Sequence, residues 1–442
     1  MNWEQLLSTK RFGLEHIHKK TSPNRTEFQR DYDRLVFSAP FRRLQNKTQV
    51  FPLPGSIFVH NRLTHSLEVS CVGRSIGNLV SQSIYDKNPN LSQNSLISEI
   101  GSAVAAACLA HDLGNPPFGH SGEEAISTFF SQGNGRNIQN HLSENQWQDL
   151  IHFEGNANVL RILTHQFNGR RKGGFAMTYT TLAAIVKYPY ESFLAGDRSK
   201  FGFFDSERTT FSTIAQELGI VQLQKEPRKY TRHPLVYLVE AADDICYQLM
   251  DIEDAHKLRI LSTNETLDLL LSYLTQKQIT RAKEIFLKVK DTNEQIAYLR
   301  SIIIGILINE CAHIFSINEK AILNGTFQGD LMTHLSTPIK QAYQKSKSTS
   351  SNKIYNSKEV LDIELAGYKI IQTLLDNYIE AILLPNKSYS KLLINRVPEQ
   401  YNIKSSLIDE RVQAVLDFIS GMTDIYALDL YRKINGHSLP AI

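Results

Sequence analysis

Apolar residues recur every three to four positions along most of this chain, and this periodicity constrains the fold more than any other feature. Side chains at that spacing lie on one face of an α-helix, where they can pack against a core. The pattern predicts helices over residues 61–84, 96–112, 121–131, 155–167, 178–187, 234–258, 277–290, 293–314, 359–383 and 407–433. No convincing series of alternating strands accompanies them. We therefore expect an all-α protein.

Composition narrows the class of protein further. The 442 residues are 42% hydrophobic, enough to bury one large core or two to three smaller ones. The 48 Lys and Arg residues nearly balance the 45 Asp and Glu residues, which argues against a polybasic nucleic-acid-binding protein. Residues 1–8 lack a secretory signal pattern, and the apolar run 302–308 is shorter than the roughly 18 residues of a membrane span. With four widely spaced cysteines, the chain is expected to be soluble and cytoplasmic.

Four polar or glycine-containing stretches interrupt the helical pattern. Residues 131–149, 169–174 and 196–233 are predicted to be loops on one domain. Residues 344–358 are rich in serine and lysine, which predicts a domain boundary or a flap.

A histidine and an aspartate stand together where a buried helix is predicted to end. Small and apolar residues cover nearly all faces of residues 98–110, and His111 and Asp112 follow directly. Gly114 and the Pro116–Pro117 pair then end the helix. An isolated doublet of this kind more often caps a helix than binds a metal, so its interpretation depends on the rest of the chain.

Two further segments favour a metal site. Asn61 is a predicted helix cap that places His65 among apolar residues in the first turns of its helix. Asp243 borders the apolar stripe of the helix that begins at Pro234, and a carboxylate there needs a cation, hydrogen bonds or protonation. Two imidazoles and two carboxylates suit Mn²⁺, Fe²⁺, Co²⁺, Ni²⁺ or Zn²⁺, with coordination positions left for water and a phosphate oxygen.

Through these residues and five ordered motifs, the chain resembles the HD-domain metal-dependent phosphohydrolases. Within that family it is most similar to the deoxyguanosine triphosphate triphosphohydrolase branch. The motifs are residues 42–50, 61–66, 111–120, 153–157 and 240–245, and the segment Gly421–Asp424 is also similar. The resemblance implies an HD-domain helical bundle with additional C-terminal helices. It also implies that the protein cleaves a dNTP into a deoxynucleoside and inorganic triphosphate. The first candidate substrate is dGTP, and the alternative is that several dNTPs are substrates.

The resemblance implies that the metal ligands are His65, His111, Asp112 and Asp243. The family's last ligand is followed by a tyrosine four positions later and an aspartate eight positions later, a spacing that selects Asp243 over Asp244. From Asp243 these residues are Tyr247 and Asp251, which the helical repeat places on one face with it, lining one pocket. Mn²⁺ or Mg²⁺ is the first expectation for the metal, with Fe²⁺, Co²⁺, Ni²⁺ and Zn²⁺ as alternatives.

The resemblance also implies a catalytic pair, His120 and Glu123. The pattern of Ser121 with Glu124 predicts a capping box, which would leave the pair free to project from the start of a helix. Which of the two takes the proton stays open. The competing interpretation is that both residues merely decorate a helix N-terminus.

Six residues are implied to bind the substrate. Arg62, Asn156 and Lys187 would contact phosphates, and Gln49 and Asp251 would hydrogen-bond the 3′-hydroxyl. The ring of Tyr247 would fill the space that a ribose 2′-hydroxyl needs. Lys187 could instead be an ordinary lysine at a helix end, and Tyr247 a plain core aromatic. Other histidines, His60 among them, match none of the motifs, and we predict surface or packing positions for them.

The implied organisation has three regions. Residues 1–50 contribute to the active site, residues 51–260 form the HD core, and residues 261–442 serve oligomerisation and closure of the substrate pocket. The family forms tetramers or hexamers, and a nucleotide or single-stranded DNA could act as an effector. Two other functions compete: another HD-domain nucleotidase or phosphodiesterase, and a catalytically silent regulator that binds nucleotide or single-stranded DNA through residues 170–172 and 225–232.

Overall fold

The computed structural model describes residues 1–16, 25–51, 59–89, 96–196 and 199–437. In these ranges the chain is predominantly helical, and its strands form one antiparallel hairpin, β1 (Gln222–Gln224) and β2 (Lys229–Tyr230). The predicted all-α class is confirmed.

The helices fall into three groups along the chain. The first group is α1 (Trp3–Leu6), α2 (Glu27–Val36) and α3 (Ala39–Arg43). The second group is α4 (Arg62–Lys87), α5 (Ile100–Ala110), α6 (Gly119–Ser131), α7 (Glu144–Ile151), α8 (Gly155–Thr164), α9 (Tyr179–Ile185), α10 (Arg208–Leu218) and α11 (Pro234–Lys257). The third group is α12 (Thr263–Leu271), α13 (Gln276–Lys288), α14 (Thr292–Leu323), α15 (Thr337–Thr349), α16 (Lys358–Leu383), α17 (Ser388–Arg396), α18 (Ile408–Ser420) and α19 (Asp424–Ile434). Short 3₁₀ segments are Leu44–Asn46, Leu96–Glu99, Asn134–His141, Ser192–Leu194, Asp205–Glu207 and Met332–His334, and Ser350–Ile354 is a π-helix.

Helix α5 lies at the centre of the fold, and small residues let α4 approach it closely. Nearly all α5 side chains are buried, and the helix packs against α2, α4, α9 and α11. A Cβ atom on Gly73 would lie 2.5 Å from Cys108 Sγ, and one on Gly77 would lie 2.8 Å from the Cα of Gly101. Glycine at these positions therefore sets the short distance between the helices that carry His65 and His111.

Buried apolar residues form two clusters. The larger cluster includes α4, α5, α9, α11 and α14, and the smaller one joins α6 and α7 to helices α16 to α19. The C-terminal helices thus share a core with the segment that follows the His111–Asp112 doublet. The predicted region boundaries near residues 50 and 260 remain a prediction.

The structure corrects several sequence-based expectations. The predicted capping box of Ser121 and Glu124 is wrong, because α6 begins at Gly119 after Phe118, whose φ of 63° is left-handed. The Ser121 hydroxyl instead donates to the carbonyl of Glu364 at 2.7 Å. The predicted helix over 407–433 is two helices, α18 and α19, separated at residues 421–423.

Three of the four interrupting stretches also contain regular structure. Residues 131–149 include a 3₁₀ segment and the start of α7, and residues 196–233 include α10 and the hairpin. Residues 344–358 are largely helical, because they continue α15 into the π-helix. Polar residues suggested loops there, whereas one-sided packing against the core suffices to hold these short helices.

Helix α14 contains the apolar run 302–308. Among the described residues it is the one helix that is long and apolar enough to cross a membrane, and about a third of its most apolar 18-residue window is buried. It packs against α4, α11 and α12. Core helices of soluble proteins meet the same two criteria, so length and composition do not by themselves indicate a membrane span.

Candidate active site

Three helices bring a group of imidazole and carboxylate side chains together. His65 lies in the first turns of α4, His111 directly follows α5, and Asp243 lies in the middle of α11. Nε2 of His65 is 3.1 Å from Oδ1 of Asp243, and Nε2 of His111 is 3.5 Å from the same oxygen. The candidate ligand atoms of these three residues all lie within 4.8 Å of one another. This spacing is compatible with a single bound cation.

The local structure explains why these residues point inward. Asn61 caps α4 by accepting a hydrogen bond from the backbone of Thr64, as predicted. His111 Nδ1 lies 2.6 Å from the carbonyl of Cys108, and because a carbonyl can only accept, this nitrogen carries the proton. The arrangement directs Nε2 of His111 towards Asp243, and many histidine ligands of metals are oriented through their other ring nitrogen in this way.

Two buried polar atoms at the site have no hydrogen-bond partner among the described residues. They are Nε2 of His111 and Oδ2 of Asp112. Burial opposes protonation of His111, but the charges of Asp112 and Asp243 raise its pKa to about 9. Burial also opposes ionisation of Asp243, yet His111 and His65 hold its pKa well below the usual range. The imidazole and carboxylate groups and the unpaired Oδ2 of Asp112 therefore fit a divalent cation, which would replace the proton on Nε2 of His111.

Asp112 lies beside this three-residue group rather than within it. Its Oδ1 is 3.7 Å from Nε2 of His111 and 3.0 Å from a guanidinium nitrogen of Arg62, and it also accepts from Asn115. Burial raises the pKa of Asp112, but Arg62 and His111 outweigh it and lower the pKa overall. The structure thus unites three of the four predicted ligands and places the fourth next to them, paired with an arginine.

His120 and Glu123 form a hydrogen-bonded pair in the first turn of α6. Nδ1 of His120 is 2.8 Å from Oε2 of Glu123, while Oε1 of Glu123 accepts from the backbone of Gly155 at 2.8 Å. Burial opposes ionisation of Glu123, but His120, Lys200 and the Gly155 amide lower its pKa. The hydrogen bond to Glu123 raises the pKa of His120. Because the His120 side chain is 80% exposed, its Nε2 is free to reach a ligand.

Most of the predicted site residues line one cavity of about 590 Å³, within the usual range for small-molecule sites. Those that line it are Gln49, Arg62, His111, Asp112, His120, Glu123, Asn156, Lys187, Asp243 and Tyr247. His65 lies just behind the wall and is 1% exposed. Asp251 also lies outside the lining, so the expectation that Asp243, Tyr247 and Asp251 all line one pocket holds for only the first two.

The cavity lining includes basic side chains that are each paired with an acid. Lys187 Nζ is 3.2 Å from Glu240, and Lys200 Nζ is 2.6 Å from Glu154, which also accepts from the Asn156 amide. Burial lowers the pKa of Lys187, but Glu240 raises it overall. The sequence prediction missed Lys200, which lies in a stretch assigned to a loop. Arg62, paired with Asp112, is a third basic side chain in the lining, and guanidinium and ammonium groups are suited to binding phosphate oxygens.

Two tyrosines also line the cavity. The rings of Tyr247 and Tyr355 are 6.0 Å apart, and the Tyr355 hydroxyl donates to Oδ2 of Asp251 at 2.7 Å. Gln49 is another lining residue, and its Oε1 is buried with no hydrogen-bond partner among the described residues. Tyr355 belongs to the stretch predicted to be a boundary or flap, and it lines the cavity. The serine and lysine content of that stretch gave no indication of this role.

We expect Asp251 to make the stability of the protein fall with rising pH. Burial, with a contribution from Asp254, raises the pKa of Asp251 to about 8. A carboxyl whose folded-state pKa is raised holds its proton in the native state, so stability declines between about pH 4 and pH 8. Asp251→Asn removes this decline, and its stability gain over the wild type should reach on the order of a few kcal/mol near pH 8.

Thermal unfolding from pH 4 to pH 9 measures this effect. The difference in Tm between Asp251→Asn and the wild type should be small near pH 4 and grow with pH. Asp268→Asn, an exposed change on α12, should show a constant difference. A constant difference for both variants would contradict the prediction.

His60 occupies a buried, charged position, and its predicted surface or packing role was incomplete. Nδ1 of His60 is 2.8 Å from Oδ2 of Asp254, and Nε2 is 3.1 Å from Oε1 of Glu68. Burial disfavours its charge, but these two carboxylates raise its pKa to about 10. The protonated ring therefore ties α4 to α11, close to the helix segments that carry His65 and Asp251.

Comparisons with known proteins agree with this geometry. An HD-domain family model matches residues 62–185, and a phosphohydrolase-associated domain model matches residues 333–433. A deoxyguanosinetriphosphate triphosphohydrolase-like protein of Pseudomonas aeruginosa is 38% identical, with both chains covered completely. A protein of the same description from Synechocystis sp. is 36% identical over 99% of this chain and all of its own. The deoxyguanosinetriphosphate triphosphohydrolase of Yersinia enterocolitica is 30% identical over 92% of this chain and 93% of its own.

Proposed function

The chain belongs to the deoxyguanosinetriphosphate triphosphohydrolase family of HD-domain proteins, and on that premise we propose that it is a metal-dependent dNTP triphosphohydrolase. The substrate would be dGTP or several dNTPs, and the products a deoxynucleoside and inorganic triphosphate. The observation that carries this proposal is the cluster of His65, His111 and Asp243 beside the His120–Glu123 pair. Arg62, Lys187 and Lys200 line the same cavity as His111, Asp243 and the His120–Glu123 pair.

His65, His111 and Asp243, with Asp112 beside them, would hold a divalent cation. Mn²⁺ or Mg²⁺ is the first candidate, and Fe²⁺, Co²⁺, Ni²⁺ and Zn²⁺ are alternatives for a mixed nitrogen and oxygen site. Such a cation lowers the pKa of a bound water and polarises a phosphoryl oxygen.

The His120–Glu123 pair would move the proton. In the reaction a water oxygen bonds to the α-phosphorus, the bond to the 5′-oxygen breaks, and the 5′-oxygen gains a proton. With Nδ1 held by Glu123, the exposed Nε2 of His120 can take or give that proton. Arg62, Asn156, Lys187 and the newly found Lys200 would bind and orient the triphosphate.

Gln49, Asp251 and Tyr247 would recognise the deoxyribose of the substrate. Gln49 offers an unpaired acceptor to a 3′-hydroxyl. Asp251 would hydrogen-bond the same hydroxyl only after its hydrogen bond with Tyr355 breaks. Tyr247 would exclude a ribose 2′-hydroxyl by its bulk. The alternative role of Tyr247 as a plain core aromatic loses support, because the ring lines the cavity.

Tyr247→Ala is expected to admit ribonucleotides. Removing the ring opens space at the sugar, so the ratio of kcat/KM for dGTP to that for GTP should fall at least about tenfold, which corresponds to about 1.4 kcal/mol of lost discrimination. Tyr273→Phe offers a control at a tyrosine that lies outside this cavity. Unchanged discrimination in Tyr247→Ala would remove the gate hypothesis.

A product assay tests the proposed function directly. Each of the four dNTPs is incubated with Mn²⁺ or Mg²⁺, with and without single-stranded DNA, and the phosphorus products are identified by ³¹P NMR. Inorganic triphosphate and a deoxynucleoside support the proposal. Orthophosphate or pyrophosphate would favour another HD-domain nucleotidase or phosphodiesterase. Metal-dependent dNTP binding without any product would favour a catalytically silent regulator.

Assembly and regulation extend the same proposal. Members of the family form tetramers or hexamers, and exposed apolar residues such as Ile317 on α14 and Leu365 on α16 could contribute to contacts between copies. Residues 170–172 form an exposed basic segment on which single-stranded DNA or a nucleotide effector could bind. The cytoplasm, where dNTPs and reduced cysteines occur together, is the proposed location.

A further inference from the structure

The C-terminal residue Asp424, in the segment Gly421–Asp424, lies outside the cavity lining but accepts hydrogen bonds from two residues that line it. Asp424 is the first residue of α19, and it is 6% exposed. Its Oδ2 accepts a hydrogen bond from the backbone N–H of Thr48 at 2.7 Å. Its Oδ1 accepts from the backbone N–H of Phe118 at 3.0 Å. One carboxylate therefore joins two chain segments that are 306 and 376 residues away from it in sequence.

Both of these segments carry cavity residues. Thr48 directly precedes Gln49, and its neighbour Lys47 accepts a backbone hydrogen bond from Arg62 at 3.2 Å. Phe118 lies two residues before His120. The two oxygens of Asp424 thus fix the backbone just before a sugar-side residue and just before the catalytic pair.

The backbone conformation at Phe118 requires stabilising contacts from other parts of the chain. Its φ of 63° is in the left-handed region, where a residue with a side chain is disfavoured. Gly119 follows with a φ of 57°, and a Cβ atom there would lie 2.5 Å from a guanidinium nitrogen of Arg62. Strained turns of this kind persist where surrounding contacts enforce them, and the Phe118 N–H bond to Asp424 is such a contact.

The residues just before Asp424 hold the same two segments from a second direction. Nζ of Lys47 donates to the carbonyls of Ser420, at 2.9 Å, and of Asn115. The Asn158 amide donates to the carbonyl of Gly114 at 2.8 Å and lies 3.2 Å from the Ser420 hydroxyl. The end of α18 and the start of α19 therefore enclose the turn that follows His111 and Asp112.

The chemistry of this position requires a carboxylate. Two backbone N–H groups approach it, and a carboxylate has two oxygen acceptors, whereas a carboxamide has one acceptor and one donor. The N-terminal end of an eleven-residue helix also favours a negative charge. An asparagine would leave either Thr48 or Phe118 facing an NH₂ group, with its N–H buried and unpaired.

We propose that Asp424 is a positioning residue, which holds the Thr48–Gln49 and Phe118–His120 segments in their active arrangement. The C-terminal helices are then a required part of the catalytic centre rather than an appendage to it. The consequence for turnover rests on the proposed function, whereas the consequence for the two backbone segments does not.

Turnover of Asp424→Asn and Asp424→Ala is the first measurement. We expect kcat to fall about 10- to 100-fold in Asp424→Asn and further in Asp424→Ala, with metal stoichiometry unchanged, because one and then two hydrogen bonds are lost. Asp429→Asn is the matched control: Asp429 lies on the same helix, and its side chain is 44% exposed and paired with Lys433. Its kcat should stay within twofold of the wild type.

The second measurement is backbone hydrogen exchange, followed by mass spectrometry. Peptides that contain Thr48 and Phe118 should lose protection in Asp424→Asn, while peptides from α4 and α11 keep theirs. This measurement does not depend on catalysis. If the wild type releases no triphosphate but both peptides lose protection, the proposed function fails and the positioning role of Asp424 stands.

Three outcomes would overturn the proposal. The first is a folded Asp424→Asn protein with wild-type kcat, and the second is unchanged protection at both peptides. The third is a loss of activity that only follows the unfolded fraction and recovers on cooling, since that indicates a purely structural role. If Asp424→Asn does not fold, Asp424→Glu is the variant to test. It keeps both carboxylate acceptors but displaces them by one C–C bond. Its kcat should fall at least threefold, and a wild-type kcat would overturn the proposal.

Discussion

Asp243→Ala is expected to abolish both cation binding and turnover. Oδ1 of Asp243 lies between the Nε2 atoms of His65 and His111, so its removal leaves two imidazoles without the anion that draws a cation to them. A bound cation supplies several kcal/mol of transition-state stabilisation, and each 1.4 kcal/mol is about a factor of ten in rate. Turnover should therefore fall at least about a thousandfold.

Asp244→Ala is the matched control, because it removes the adjacent carboxylate from the same helix. Asp244 also lines the cavity, but it is not part of the three-residue group. Burial raises its pKa to about 8 despite the opposing charge of Lys187. Metal content by mass spectrometry and triphosphate release should be measured on both variants. If Asp244→Ala loses the cation and Asp243→Ala keeps it, the assignment of the ligand is wrong.

His120→Asn is expected to lower kcat by about 10²- to 10⁴-fold, the usual contribution of a general acid or base. The metal content should not change, because His120 lies outside the ligand group. The side chain is 80% exposed, so its replacement should leave the fold intact. Steady-state kinetics at saturating dNTP measure the effect, and a kcat within threefold of the wild type would exclude a catalytic role.

Glu123→Gln distinguishes the roles within the pair. The hydrogen bond and the charge of Glu123 raise the pKa of His120, so their loss should move the limb of the pH–rate profile controlled by His120 to lower pH. The carboxamide oxygen can still accept from Gly155, so α6 should stay in place. An unchanged profile would show that Glu123 does not act through His120.

Local sequence patterns predicted most of the helices and indicated His65, His111 and Asp243 as candidate metal ligands, and the structure brings these three residues together. Asn61 caps α4 and Pro234 begins α11, and both effects depend only on neighbours in the chain. The position of His111 at the end of α5 follows from the residues that stop that helix. The resemblance to a family added the catalytic pair and the choice of Asp243, which spacing alone left open.

Other features could not be predicted because they depend on contacts between distant segments. Tyr355 lies in a stretch whose composition is typical of a loop, but packing makes it part of the cavity wall. His60 has no motif, and the carboxylates around it come from two helices. The capping box of Ser121 and Glu124 was locally plausible, yet the left-handed turn at Phe118 starts the helix earlier.

The sequence by itself determined that this chain forms helices, where most of them begin, and which side chains can bind a metal, because periodicity and caps act over a few residues. The tertiary structure alone decided that Asp112 pairs with Arg62, that Lys200 and Tyr355 reach the cavity, and that Asp424 accepts hydrogen bonds from Thr48 and Phe118. These contacts join residues up to 376 positions apart. They form only when buried apolar faces have packed, and local sequence carries no information on that distance.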